Sequence, residues 1–229
     1  MKTIGLIIVT VDSQRPPGAV PLLFRDVAGR PLLSWTVSRF ERAASVDEVV
    51  IVAAEEFLLH VSQKVVQPYH YAKVSRVIVG GATRFESVRI GLKALPISTG
   101  WVAIHDGARP LVNPADIDRT VKQARADRAA TLAGPVTDTI KRVQDDHVIA
   151  TLDHHRLVLA QTPQVFQYDL LMAALVGCDE HNLPFDDAAM VERMGFKVTI
   201  VPAGSPNFAV LSATDLILAA ALLKGEDQP

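Results

Sequence analysis

The sequence predicts an α/β protein: a mostly parallel sheet with helices on both of its faces. Three observations carry that expectation. Short runs rich in β-branched residues alternate with longer stretches of helical spacing. The short runs are apolar throughout rather than at every second residue, as in strands buried on both sides. Gly, Pro or polar residues bound them, and strand–helix alternation of this kind builds parallel sheets.

In chain order, IGLIIVTV (4–11) is the first strand, and PLLSWTVSRFERA (31–43) the first long helix. VDEVVIVAA (46–54) is a strand, EEFLLHVSQKVV (55–66) a helix, and VSRVIVGG (74–81) the next strand. TRFESVRIGLKAL (83–95) is a helix leading to the strand GWVAIHD (100–106). NPADIDRTVKQARA (113–126) is a helix, for which Asn113 supplies a cap and Pro114 a first-turn residue. The strand AATLAGPV (129–136) follows. The pattern then changes. TDTIKRVQDDHVIATL (137–152) is two short β-like runs around QDDH, a hairpin arm. A lone hairpin is marginal in water, so this arm is expected to pack on another surface, such as a second subunit. After QTPQVF (161–166) come helices in YDLLMAALVG (168–177) and FDDAAMVERMG (185–195), the strand KVTIVPAG (197–204) and the helix SATDLILAAALL (212–223).

Composition narrows the function. At 229 residues the chain fits one large domain, taken as 1–229. Net charge is −2 without a long like-charge run, which argues against a nucleic-acid or anionic-membrane binder. The single cysteine, Cys178, has no partner for a disulfide or a thiolate metal site. No apolar run approaches the roughly 18 residues that span a bilayer. The N-terminal MKTIGLIIV lacks a small-residue cleavage pattern after it and reads as a core strand, so the chain is expected in the cytoplasm.

Two segments could carry chemistry. In WVAIHDGARP (101–110), Asp106 ends a buried strand, where open α/β sheets bind ligands and a carboxylate can hold Mg²⁺ against phosphates. Asp106 could equally cap the Gly-Ala turn. In VGGATRFESV (79–88), Gly80 and Gly81 permit close backbone approach beside Arg84 and Ser87, which suits a phosphate or a base, though a double glycine is also an ordinary turn. QTPQ groups hydrogen-bonding side chains around a proline and is not diagnostic by itself.

Together and in order, GGxxRxxSV, HDGARP, PVTDTIK, QTPQVF, FDDAAMVE and N-F-A-V-L…D make the chain resemble the 2-C-methyl-D-erythritol 4-phosphate cytidylyltransferases, relatives of the ribitol-phosphate cytidylyltransferases. The resemblance covers essentially the whole chain. It implies a Rossmann-like nucleotidyltransferase fold, a homodimer formed through the β-arm at 137–152, and transfer of CMP from CTP to a sugar-alcohol phosphate with Mg²⁺ and loss of pyrophosphate. By resemblance, Asp106 ligates the metal and is catalytic with Arg15. Gly81, Ser87 and Arg84 serve the nucleotide, and Thr139, Thr162 and Arg109 the acceptor.

The resemblance has gaps. The N-terminal signature is approximately A-A-G-x-G-x-R-M-x-x-x-x-P-K-Q. Arg15 falls on its arginine, but Val11 and Ser13 stand where glycines should, and Leu22-Leu23 replace Lys-Gln. Pro16 and Pro17 have no N–H to offer an anion. The late N-x-K-x-T motif has Ala209 for its lysine and Leu211 for its threonine, and the family's D-R pair before the QTPQ region reads Asp153-His154. These departures imply impaired or altered turnover, or a silent dimeric homologue that binds a nucleotide, a metabolite or a protein. Arg15, Arg84, Arg109 and Lys141 are candidate replacements for the missing charge, and His154 for the family arginine.

Overall fold

A computed structural model describes residues 1–10, 20–178 and 183–224. In chain order the strands are β1 (Lys2–Val9), β2 (Asp26–Val27), β3 (Arg30–Pro31), β4 (Glu48–Ala53), β5 (Val74–Val79), β6 (Thr99–Asp106), β7 (Ala129–Pro135), β8 (Lys141–Gln144), β9 (His147–Thr151), β10 (Val158–Gln167) and β11 (Thr199–Pro202). Seven of them form one sheet in the order β11-β7-β10-β6-β1-β4-β5. β1 runs parallel to both β4 and β6, and the β4–β5 and β7–β11 pairs are parallel too. β10 alone is reversed, antiparallel to β6 and β7. The mostly parallel α/β sheet expected from the sequence is therefore present.

The helices are α1 (Leu32–Arg42), α2 (Leu58–His60), α3 (Arg84–Ala94), α4 (Pro114–Asp127), α5 (Tyr168–Val176), α6 (Asp187–Arg193) and α7 (Ala213–Leu223). They sandwich the sheet. Successive side chains of a strand point to opposite faces. Thus Ile7 and Val9 of β1 enter a core with α1, α4 and α7, whereas Ile4, Leu6 and Ile8 enter another with α3, α5 and α6. This is why β1 is apolar throughout.

Local chemistry explains several boundaries. Asn113 Oδ1 accepts from the Ala115 N–H (2.9 Å) with Pro114 in the first turn, as the sequence predicted for α4. α6 begins at Asp187, later than the apolar pattern suggested, because Asp186 caps it by accepting from the Ala189 N–H (2.9 Å). The stretch at 55–66 is not one regular helix. α2 is only three residues long and leads into a π turn over Val61–Val66 that buries Val61 and Val65. QTPQVF proves to be the inner half of the ten-residue β10, whose outer half is exposed and lacked a core signature. Its register shifts between Ala160 and Gln164, and the Thr162–Pro163 peptide is cis.

The hairpin at QDDH forms as expected, with β8 and β9 pairing apart from the main sheet. Asp145 (φ 48°) and Asp146 (φ 62°) both take the left-handed conformation that a two-residue hairpin turn of the tight primed kind requires.

Candidate active site

The strand order reverses beside β1: the chain passes outward through β4 and β5, then returns to β6 on the other side. Such a switch point opens a crevice at the carboxyl ends of the strands. β6 ends there on Asp106, and the turn Gly107-Ala108-Arg109 follows.

Asp106 is held from two sides. Arg84 Nε donates to its Oδ1 (2.8 Å) and Arg109 Nε to its Oδ2 (3.4 Å). Burial by itself would raise the Asp106 pKa, but the Arg84 guanidinium, helped by His105 and Arg109, holds the carboxyl below its usual range. It is ionised at neutral pH. Each carboxylate oxygen has a lone pair beyond the one its arginine uses, so Asp106 retains capacity for a hard cation and suits Mg²⁺.

Arg84 is fixed in turn by Asp187, the first residue of α6. Its Nη1 and Nη2 reach Asp187 Oδ1 (3.2 Å) and Oδ2 (2.7 Å) in a forked pair. Asp187 is fully buried, which pushes its carboxyl upward against the pull of Arg84, while the two acids keep Arg84 firmly charged. The guanidinium is thus committed to two carboxylates, and the arginine read as a nucleotide contact braces Asp106. Arg84 is brought here by a capping box in which the Thr83 side chain accepts from the Glu86 N–H (3.1 Å).

Behind Asp106 lies His105, completely buried against Phe40. Its Nε2 faces the Arg109 carbonyl (3.1 Å), which can only accept, so Nε2 carries the proton. Burial, only partly countered by Asp106, pushes its pKa down to about 4, so the ring is neutral and Nδ1 accepts from the Thr162 hydroxyl (3.0 Å). Thr162 Oγ1 in turn accepts from the Asp106 backbone N–H (3.0 Å). Asn207 closes the ring of contacts. Its amide donates to the Thr162 carbonyl (2.8 Å), and its own carbonyl accepts from Arg109 Nη1 (2.8 Å). Gln164, also buried, accepts from the Ala188 N–H (2.8 Å) and donates to Asp186 (2.8 Å), tying β10 to α6.

Asp106, Arg84, Arg109 and Thr162 therefore converge, as the sequence suggested. Gly81 and Ser87 sit beside them: the Gly81 N–H donates to Ser87 Oγ (3.1 Å). A Cβ at Gly81 would come within 2.3 Å of Glu86 Cβ, so this close fold of the loop onto α3 requires glycine. Thr139 does not join the group. It is exposed on the approach to β8 and makes no hydrogen bond among the described residues. Arg15 lies outside the described residues. Leu22 and Ala209, at the family's lysine positions, are half-buried. His154 is exposed in a 3-10 turn, its ring 4.2 Å from that of His155. His105, Asp187, Gln164 and Asn207 escaped the sequence reading. Each sits in a quoted motif, but nothing in a motif says that a polar side chain is buried and cross-linked.

A switch-point crevice carrying a carboxylate flanked by arginines, on an open and mostly parallel sheet, defines an α/β protein that binds its ligand at the carboxyl ends of the strands. Comparison with known proteins narrows this. The family model of 2-C-methyl-D-erythritol 4-phosphate cytidylyltransferase (IspD) matches residues 6–225. The chain belongs to that family. Relatives so named include that of Geobacter metallireducens, 37% identical over 228 residues (98% of either chain), and that of Syntrophus aciditrophicus, 33% identical over 228 residues (99% of this chain and 97% of the relative). The crystal structure of 4-diphosphocytidyl-2C-methyl-D-erythritol synthase from Anaerococcus prevotii superposes with a TM-score of 0.83 at 27% identity, covering 97% of this chain and 96% of that one.

Proposed function

We propose that this protein transfers CMP from CTP to 2-C-methyl-D-erythritol 4-phosphate or a similar sugar-alcohol phosphate, releasing pyrophosphate. The reading rests on the end-to-end family match together with an ionised carboxylate locked at the switch point. A phosphate oxygen of the acceptor forms a bond to the α-phosphorus of CTP, and the bond from that phosphorus to the bridging oxygen of pyrophosphate breaks. Such a reaction needs in-line positioning and neutralisation of growing charge more than covalent chemistry. When bound, Mg²⁺ supplies part of that neutralisation, and Asp106 would hold it. Gly81 and Ser87 orient the cytidine, with Arg84 acting through Asp106. Arg109, Thr162 and Arg15 hold phosphate oxygens, and Thr139 reaches the acceptor from the arm. We read residues 1–229 as one nucleotidyltransferase domain whose arm at 137–152 pairs two copies, working in the cytoplasm. Among the described residues no helix is long and apolar enough to cross a membrane.

A second reading has its own support. Leu22 and Ala209 remove two cations that the family places in this cleft, and loss of one preorganised donor alone typically costs roughly 10²–10³ in rate. On this reading the chain is a slow or silent homologue that binds a nucleotide, a metabolite or a protein. Pyrophosphate release from CTP, Mg²⁺ and a panel of polyol phosphates separates the two. Turnover near that of an active family member supports the first; none with any acceptor, rescued by Leu22→Lys with Ala209→Lys, supports the second.

A further inference from the structure

Among the described residues, one group of three side chains is placed to hold a metal ion: Asp153, His154 and His155, whose ligand atoms all lie within 4.8 Å of one another. They occupy the turn that carries the chain from β9 into β10. Consecutive residues of a strand point to opposite faces, so extended backbone would scatter such a triplet. Here local backbone chemistry gathers it. Asp153 caps the 3-10 turn His154–Arg156, its Oδ1 accepting from the His155 N–H (3.1 Å). The Arg156 N–H donates to the Asp153 carbonyl (3.1 Å) and the Leu157 N–H to that of His154 (3.1 Å), which closes the turn. The two imidazoles are thereby brought to 4.2 Å between ring centroids, tilted by 37°. Just before the turn, the Leu152 N–H donates to the Ile140 carbonyl (2.9 Å) and pins the root of the arm.

The ligand atoms have few other uses. All three residues are exposed, and among the described residues neither imidazole makes a hydrogen bond. Bonds from zinc to imidazole or carboxylate are about 2.0–2.2 Å, which sets ligand atoms about 3.3 Å apart around a tetrahedral ion. Exposed side chains reach that spacing by small rotations about their own bonds. Two imidazoles with one carboxylate suit Zn²⁺, Ni²⁺ or Cu²⁺, whereas the all-oxygen Asp106 suits Mg²⁺. We propose that Asp153, His154 and His155 bind a divalent transition-metal ion, represented by Zn²⁺, at the root of the β8–β9 arm. Three ligands from one turn leave a further position of the ion open to water or another ligand, and the ion stiffens the link between the arm and β10.

Binding needs no turnover, so this site stands or falls independently of the proposed reaction. The untagged full chain is titrated with Zn²⁺ against a chromophoric chelator at neutral pH, and crystals soaked in Zn²⁺ are measured at the zinc absorption edge. An anomalous peak between the two rings is expected. His154→Ala and His155→Ala should each weaken binding at least about 10-fold, the loss that even an outer partner of a ligand typically causes. Asp153→Asn keeps a capping residue, so the turn survives while the charged ligand goes, and binding should weaken again. His147→Ala, on the arm but outside the triplet, should leave affinity unchanged. The site is overturned if the protein takes no Zn²⁺ from the chelator, if the peak lies elsewhere, if any of the three triplet variants binds as tightly as the unmodified chain, or if His147→Ala weakens binding as much as they do. A large excess of Mg²⁺ should leave the Zn²⁺ in place, and displacement by Mg²⁺ would overturn the metal class.

Discussion

The crevice around Asp106 and the β8–β9 arm are both built from short stretches of chain, yet they are stabilised in opposite ways. In the crevice, residues far apart in sequence are cross-linked: Arg84 to Asp187, Asp106 to Thr162, Arg109 to Asn207. Most of its polar groups are bonded to one another, so its geometry exists before any ligand arrives. Among the described residues the arm pairs only with itself, and it leaves Val143, Val148 and Ile149 exposed at 63%, 61% and 54%. The difference teaches where each region's order originates. The crevice is preorganised within one chain, whereas the arm has apolar surface to bury and nothing among the described residues of the same chain that covers it.

The largest effect expected from breaking this contrast lies in the buried ion pair. Asp187→Ala leaves Arg84 charged and without its forked partner, which should cost about 3–5 kcal/mol of stability in urea unfolding. A loss below about 1 kcal/mol would mean that the brace is not structural.

His105 sharpens the comparison by pH. The unfolded chain protonates this residue near its ordinary pKa of 6.5, but the folded protein does so only near 4. Its contribution is therefore complete above pH 6.5 and erodes as pH falls toward 4, by up to about 3 kcal/mol. Unfolding measured between pH 7 and 4 should show that decline, and His105→Gln should flatten it.

The smallest effect on folding belongs to the arm. Val148→Asp should alter the stability of the single chain by no more than about 0.5 kcal/mol, as surface changes usually do. If two copies pair through the arm as proposed, sedimentation should nonetheless shift from dimer to monomer. A dimer that survives with unchanged affinity would separate the arm from assembly.

Much of this molecule is legible in its sequence, for identifiable reasons. β1, β4 and β6 are apolar on both faces because both faces are covered, and that pattern needs no knowledge of neighbours. Asp106 stands out because it terminates such a strand, and the turn at Asp145-Asp146 because polar residues interrupt two β-like runs. Other features depend on contacts that spacing cannot encode. The outer half of β10 begins with the apolar but exposed Val158 and Leu159 and shows no alternation, so only its pairing with β7 reveals it as strand. Arg84 reads as a phosphate ligand until Asp187, 103 positions away, is found on its guanidinium. His105 is just the residue before Asp106 in the sequence, although it is completely buried in the structure. Burial of polar side chains is a tertiary fact, and it is where the reading from sequence stopped.

The most direct test of the crevice as the reacting centre compares pyrophosphate release by the unmodified protein and by Asp106→Asn, at saturating CTP, Mg²⁺ and 2-C-methyl-D-erythritol 4-phosphate. Asparagine keeps the size and removes the charge, so the rate should fall roughly 10²–10³-fold while the fold is retained. Equal rates from the two proteins would contradict the assignment of chemistry to this carboxylate.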